Sequence, residues 1–218
     1  MVKEAQKDPD LRKQLINPHL LCPPGHQRGV RQPNVTFAQY DADAKSWLAP
    51  FVMASINTRV VHRSNAISDF AYGEEFLYDE AMMTGVSTKG RMSAVGLSLG
   101  LAGFMTASAI PPTRWLLERF VVPKPGEGPS PSAQKRGFYD LRFFGHGPDG
   151  ELLVTKVRGD RDPGYGSTAK MLGEAAACLA LDVPEDVAGG FWTPSTIFGD
   201  KLIKRLTEHA GLSFETVT

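Results

Sequence analysis

Gly164, Gly166 and Ala169 spell G-x-G-x-x-A within KVRGDRDPGYGSTAKMLGEAA, Lys156 to Ala176. A strand-like run ends there, a loop rich in glycine and aspartate follows, and a helix begins. Glycines at such a junction let backbone N–H groups approach a phosphate, and a helix N-terminus adds the positive end of its dipole. The chemistry would be dinucleotide binding. Three details argue against a pyrophosphate cradle. GDRDP separates the strand from the glycines, whereas a dinucleotide turn leaves its strand directly. Asp160 and Asp162 repel phosphate, and Arg161 offsets only one of them. No apolar strand follows the helix, so no βαβ unit closes. The sequence therefore predicts a helix capped by Ser167 that lines a site without holding pyrophosphate. Lys170, in the first turn, opposes the helix dipole. It answers an acid of the loop (Asp160 or Asp162), answers an anionic ligand, or stands in solvent.

Other spacings suggest other chemistry. Gly96 to Gly100 reads G-x-S-x-G, the outline of a nucleophile elbow, with His146 and His209 downstream as possible bases. An elbow needs a strand before its serine, and KGRMSAV is a poor strand, so Ser98 reads as a small residue on a packed helix. His19, Cys22 and His26 have metal-like spacing, but zinc wants three or four ligands and no further one is near. Met92 to Thr113 is uncharged over 22 residues. That is long enough to cross a bilayer, yet Ser93, Ser98, Thr106 and Ser108 dilute it and basic residues flank both ends. Three readings stay open for 92–110: a span, an apolar face on lipid or an acyl chain, and a buried core or interface helix.

The whole chain bounds these readings. It has 218 residues, with 24 Lys+Arg against 24 Asp+Glu, a net charge of +0. That balance gives no basic face for nucleic acid. Two distant cysteines, Cys22 and Cys178, make no disulfide framework and suit a reducing compartment. The charged first twenty residues lack the apolar centre of a secretory signal. A cytoplasmic location follows, with membrane association left open through 92–110.

The elements that would position these residues are mixed. A short charged helix over 3–16 leads into a Pro/Gly-rich arm, so 1–45 reads as an N-terminal helix and arm and 46–218 as the main domain. Ser46 caps a helix over 47–67, on which Leu48, Phe51, Val52, Ile56 and Val60 form one stripe. EEFLYDEAMMTG alternates like a strand. Pro111 and Pro112 start a separate helix. Residues 137–159 form a β-hairpin around Gly147–Gly150. Helices follow over 167–181 and 194–210, the second capped by Thr193 and stopped by Gly211, and LSFETV closes as a strand. The fold class is α+β: a mostly antiparallel sheet packed against helices, with an apolar helix around 92–110.

Four blocks, PFVMASINTRVVHRSNAI, YGEEFLYDE, VPKPGEGPS and GDRDPGYGSTAKMLGEAA, occur in that order. They resemble the C-terminal half of the saccharopine dehydrogenase-like oxidoreductases, especially the bacterial trans-acting enoyl reductases, from about Ala49 to the end. Members of that family are about twice as long and open with a glycine-rich turn that binds NAD(P), which this chain does not show. The resemblance implies a hydride passing from NADPH to a polarised double bond of a lipid-like or polyketide-derived acyl substrate. The NADP would be bound mainly by a half outside this chain, on a Rossmann-domain partner or within a homo-oligomer. It also implies residues that face substrate or cofactor: Asn57, Arg59 and Asn65 on the helix over 47–67, Tyr72 and Tyr165 as proton donors, Asp160 and Asp162 in the loop, and Lys170 toward an anion. The competing expectation is a non-enzymatic lipid- or membrane-associated binding protein, motivated by the uncharged run.

Overall fold

Leu48 and Ala49 are both buried, and the segment around them is a strand with a neighbour on each side. In the computed structural model, which describes residues 8–25, 30–124 and 126–217, β1 (Gln39–Asp41), β2 (Ser46–Pro50) and β3 (Ala81–Gly85) form an antiparallel sheet in that order. The helix expected from 47 begins later, as α2 (Ala54–Ile67). The apolar stripe beginning at Leu48 suits either element, and sheet partners on both sides decide for the strand. Ser46 caps no helix. Its hydroxyl accepts from the Gly85 N–H at 3.0 Å and donates to the Trp47 carbonyl. Pro50 ends the strand opposite Ala81 rather than opening a helix.

The chain up to Val122 makes one compact unit and the chain from Pro123 makes another. The first opens with α1 (Pro9–Ile16), whose Asp8 side chain accepts from Asp10 and Leu11 N–H groups. The charged helix is thus present over the described part of 3–16. The Pro/Gly-rich arm is tied to this unit at its far end, because β1 pairs with β2. α3 (Thr88–Ala109), capped by Ser87, lays Gly90, Ala94 and Ser98 on β2 and β3. A Cβ at Gly90 would collide with the Gly85 carbonyl, so only glycine lets the helix start this close to the sheet. The glycines further along, Gly96, Gly100 and Gly103, face open space. α4 (Pro111–Phe120) follows with the two prolines in its first turn, as the sequence predicts.

The second unit holds α5 (Pro131–Arg136), β4 (Tyr139–His146), β5 (Leu152–Gly159), α6 (Gly166–Leu181), α7 (Pro194–Ile197), α8 (Asp200–His209) and β6 (Leu212–Val217). The expected hairpin is present in full register from Tyr139 opposite Gly159 to His146 opposite Leu152. β6 adds to β5, giving the order β4-β5-β6. Its core gathers Leu206, Ala210 and Leu212 against Val157, Met171 and Leu202. The fold is mixed α+β with antiparallel pairing and one long apolar helix, but in two three-stranded sheets instead of one. The helix expected over 194–210 is broken at Gly199, whose φ of 53° leaves the helical region. The Thr193 cap and the Gly211 stop, at φ 74°, are both found.

Candidate functional site

The glycine-rich loop of the second unit is built around one carboxylate. Asp162 Oδ1 accepts from the Gly164 and Tyr165 N–H groups at 3.1 and 3.0 Å, and Oδ2 from the Gly166 N–H at 2.6 Å. Burial presses this carboxyl up. The N–H groups of Tyr165, Gly166 and Gly164 outweigh that and hold it below the usual carboxylate range. The side chain thus sits where a phosphate on the α6 N-terminus would sit. A Cβ at Gly166 would come 2.7 Å from Asp162 Oδ2, so this glycine makes room for the carboxylate. Ser167, the cap expected from sequence, is fully buried, and its hydroxyl meets the Tyr139 hydroxyl at 2.9 Å. Asp162 takes the capping role from outside the helix.

Lys170 answers an acid of the loop. Its Nζ lies 3.5 Å from Asp160 Oδ2 and donates to the Ala210 carbonyl at 3.1 Å. It thereby ties the exit of β5 to α6 and the end of α8. Tyr165 is left 54% exposed and lies against Gly128, where a Cβ would come 3.1 Å from its ring. With Lys124, Glu127 and Gly128 it lines an open cleft of about 610 Å³. The arrangement sets a phenol, an ammonium and a carboxylate around one space, a proton donor beside a cation that could meet developing negative charge. Lys124 and Glu127 are the residues of the PKPGEGPS turn able to do chemistry, its prolines and glycines shaping the chain. Their proximity to Tyr165 depends on how that turn folds back, which no local pattern encodes.

The remaining candidates lie in the first unit and divide among separate tasks. Asn57 Nδ2 donates to Glu80 Oε2 at 2.8 Å, and the Tyr78 hydroxyl donates to Glu80 Oε1 at 2.7 Å. Burial first, then the Glu80 bond, pushes the Tyr78 phenol well above its ordinary value. Arg59 donates to the Leu15 carbonyl and Arg63 to the Leu21 carbonyl, so both arginines strap the N-terminal arm to α2. Asn65 is a bracket: its Nδ2 donates to the Gly73 carbonyl and its Oδ1 accepts from the Tyr72 N–H, both at 2.9 Å. It closes a loop in which Asp69 and Phe70 both have φ of 56°, a costly conformation for a bulky side chain. Tyr72 is 64% exposed, with its ring 5.2 Å from that of Phe76. A second cleft, about 590 Å³, lies between the arm and α2, and Arg31, Arg59, Thr58 and Asp79 are on its wall.

The G-x-S-x-G spacing forms no strand-to-helix elbow, because Ser98 lies inside α3. Ser98 is buried on α3 and donates to the Ala94 carbonyl at 2.7 Å. His19 packs on His62, with ring centroids 4.5 Å apart, and His26 lies outside the described residues. Among the described residues no three metal-binding side chains converge.

Relatives place these parts in a wider context. Over 231 residues the chain is 38% identical to the candidate trans-acting enoyl reductase Rv2449c of Mycobacterium tuberculosis, covering 99% of this chain and 54% of the relative. It is 36% identical over 168 residues to a trans-acting enoyl reductase of Mycobacterium ulcerans, covering 74% of this chain and 39% of that one. A third, from Mycobacterium bovis, is 33% identical over 222 residues, covering 94% and 51%. The chain is related to the trans-acting enoyl reductases. It spans about half the length of the curated relatives it matches. No family model and no solved structure matches it. An enoyl reductase relation implies a nicotinamide cofactor at the level of the family. The glycine loop of this chain does not fit the pyrophosphate of such a cofactor, because Asp162 already occupies the helix N-terminus and Asp160 stands beside it.

Proposed function

We propose that this chain is the substrate-binding and closing half, C-terminal in the complete enzyme, of an NADP-dependent oxidoreductase of the saccharopine dehydrogenase-like kind. Its substrate is an acyl group with a polarised double bond, of lipid or polyketide type. The cofactor's pyrophosphate is held by residues outside the chain, on a Rossmann-type partner or another subunit. The observation that carries this reading is the Asp162 carboxylate bound to three N–H groups at the α6 N-terminus, where a cofactor phosphate would otherwise dock. Tyr165, exposed beside Lys124, is the proton donor on the substrate side. The protein works in the cytoplasm, where the buried free thiols of Cys22 and Cys178 stay reduced.

Calorimetric titration of the purified chain with NADPH, and separately with a medium-chain α,β-unsaturated acyl thioester, tests this. The thioester binds and NADPH does not. Substitution Tyr165→Phe leaves the fold unchanged by circular dichroism and weakens thioester binding by the loss of one hydrogen bond, about five- to tenfold. Saturable NADPH oxidation by the chain alone refutes the proposal.

A further inference from the structure

The distal half of α3 and the whole of α4 pack on each other and bury no residue fully within their unit. From Leu99 to Ala109 no residue is buried, and α4 has no buried residue either. Leu99 and Met105 are each 60% exposed, Trp115 60% and Phe120 72%. An apolar surface of this extent on a soluble protein marks an interaction site.

Two further observations say what covers it. The first concerns the hydroxyls that interrupt the apolar run. Thr106 donates to the Ala102 carbonyl at 2.8 Å and Ser108 to the Phe104 carbonyl at 2.7 Å, although both stand at the surface. Thr113, at the start of α4, donates back to the Ala107 carbonyl at 2.6 Å. Hydroxyls satisfied inside their own helix are compatible with hydrocarbon, where a donor without a partner is costly. The second is charge. Between Leu99 and Val122 stand Arg114 and Arg119 against Glu118 alone, a net +1 in a chain whose total is +0. Glu118 is 3.9 Å from Arg114, so the single acid is offset locally. Arg114 and Arg119 lie on the same short helix as Trp115 and Phe120, an amphipathic arrangement that suits a membrane interface.

The geometry also decides how such a surface would enter. α3 has the length and composition of a membrane span. Its first half, however, is fixed on β2 and β3 through Gly90, Ala94 and Ser98. The free half is about 16 Å long at 1.5 Å per residue, roughly half of a hydrocarbon core about 30 Å thick. We infer that the distal half of α3 and α4 together dock the protein on an anionic bilayer, entering one leaflet without crossing it. This inference stands apart from the reductase reading. It would hold for a non-enzymatic protein and would place an acyl substrate at its source.

Flotation of the full 218-residue chain with vesicles tests it. The chain floats with vesicles of equal parts phosphatidylcholine and phosphatidylglycerol, and much less with phosphatidylcholine alone. Arg119→Gln lowers the partition coefficient about fivefold, the effect of one basic residue near an anionic surface. Phe120→Glu, at an exposed position that leaves the circular dichroism spectrum unchanged, lowers it by more than tenfold. Lipids brominated along the chain quench Trp emission in the native protein, and Trp115→Phe removes that quenching. Equal binding to neutral and anionic vesicles overturns the assignment to an anionic surface. So does a chain that binds neither vesicle but forms a dimer broken by Phe120→Glu, because the patch then belongs to a second copy.

Discussion

Acidification from pH 7 to pH 5 is expected to loosen the arm-bearing face of the first unit through His62. This imidazole is 4% exposed, and among the described residues its Nε2 has no hydrogen-bond partner. Burial first, and the neighbouring His19 second, lower its pKa from 6.5 to about 4. His19 is also lowered, mainly by burial, while a bond to the Val30 backbone works the other way. The folded state therefore takes up protons less readily than the unfolded chain between these values. The sign follows from linkage: stability is complete above the unfolded value near 6.5 and falls as pH drops toward about 4. The full effect of His62 is about 3 kcal/mol, of which about 2 kcal/mol appears between pH 7 and pH 5. The groups facing it are His19, with centroids 4.5 Å away, and Phe76, edge-on at 5.8 Å. Asp79, pushed up by burial and by Asp41, acts in the opposite sense, so Asp79→Asn separates its share. Native-state hydrogen exchange over 54–67, corrected for intrinsic rates, reads the change locally. His62 alone raises the opening equilibrium about 20-fold across this range, and His62→Leu removes that share. Protection that stays constant in the native chain would refute the reasoning.

Two further predictions follow from packing. Gly90→Ala drives a methyl into the Gly85 carbonyl and destabilises the first unit by about 1–3 kcal/mol. Gly96→Ala on the same helix meets nothing and stabilises by up to about 1 kcal/mol. Thermal melts of the two variants should therefore shift in opposite directions. Asn65→Ala removes the two side-chain hydrogen bonds that bracket the 65–73 loop and costs about 2 kcal/mol. Limited proteolysis at Asp69–Tyr72 should speed up accordingly, and an unchanged cleavage rate would show that the loop is held by something else.

Elements were legible where local pattern and chain partner agree. The hairpin from Tyr139 to Gly159 combines alternation with a Gly-Pro-Asp-Gly turn, and both signals are local. The pair of helices split at Pro111 is legible for the same reason. SWLAP, a short apolar run with a proline, fits a helix start as well as a strand end, and its sheet partners β1 and β3 decide for the strand. The break at Gly199 escaped because the amphipathic pattern continues across it and a single glycine inside a helix is tolerated.

The site was legible in residue type but not in partnership, and the loop at 159–170 shows why. Sequence placed two aspartates before a glycine-rich turn and drew the right consequence, that phosphate is disfavoured there. It could not assign the acids, because Asp162 folds back on three N–H groups while Asp160, two residues away, reaches across to Lys170. Ser167 has the right type and position for a cap, yet a tyrosine from the sheet draws its hydroxyl into the core. The serine's outcome turns on a contact 28 residues away, and the division of the aspartates turns on how the loop folds back on itself, which spacing along one helix does not record. The same holds for Asn57, Arg59 and Asn65: all carry polar groups suited to a ligand, and each is engaged by Glu80, the arm or the following loop. Tyr165 is the candidate that the fold leaves exposed in a cleft beside a cation and a carboxylate, which is why the substrate test begins there.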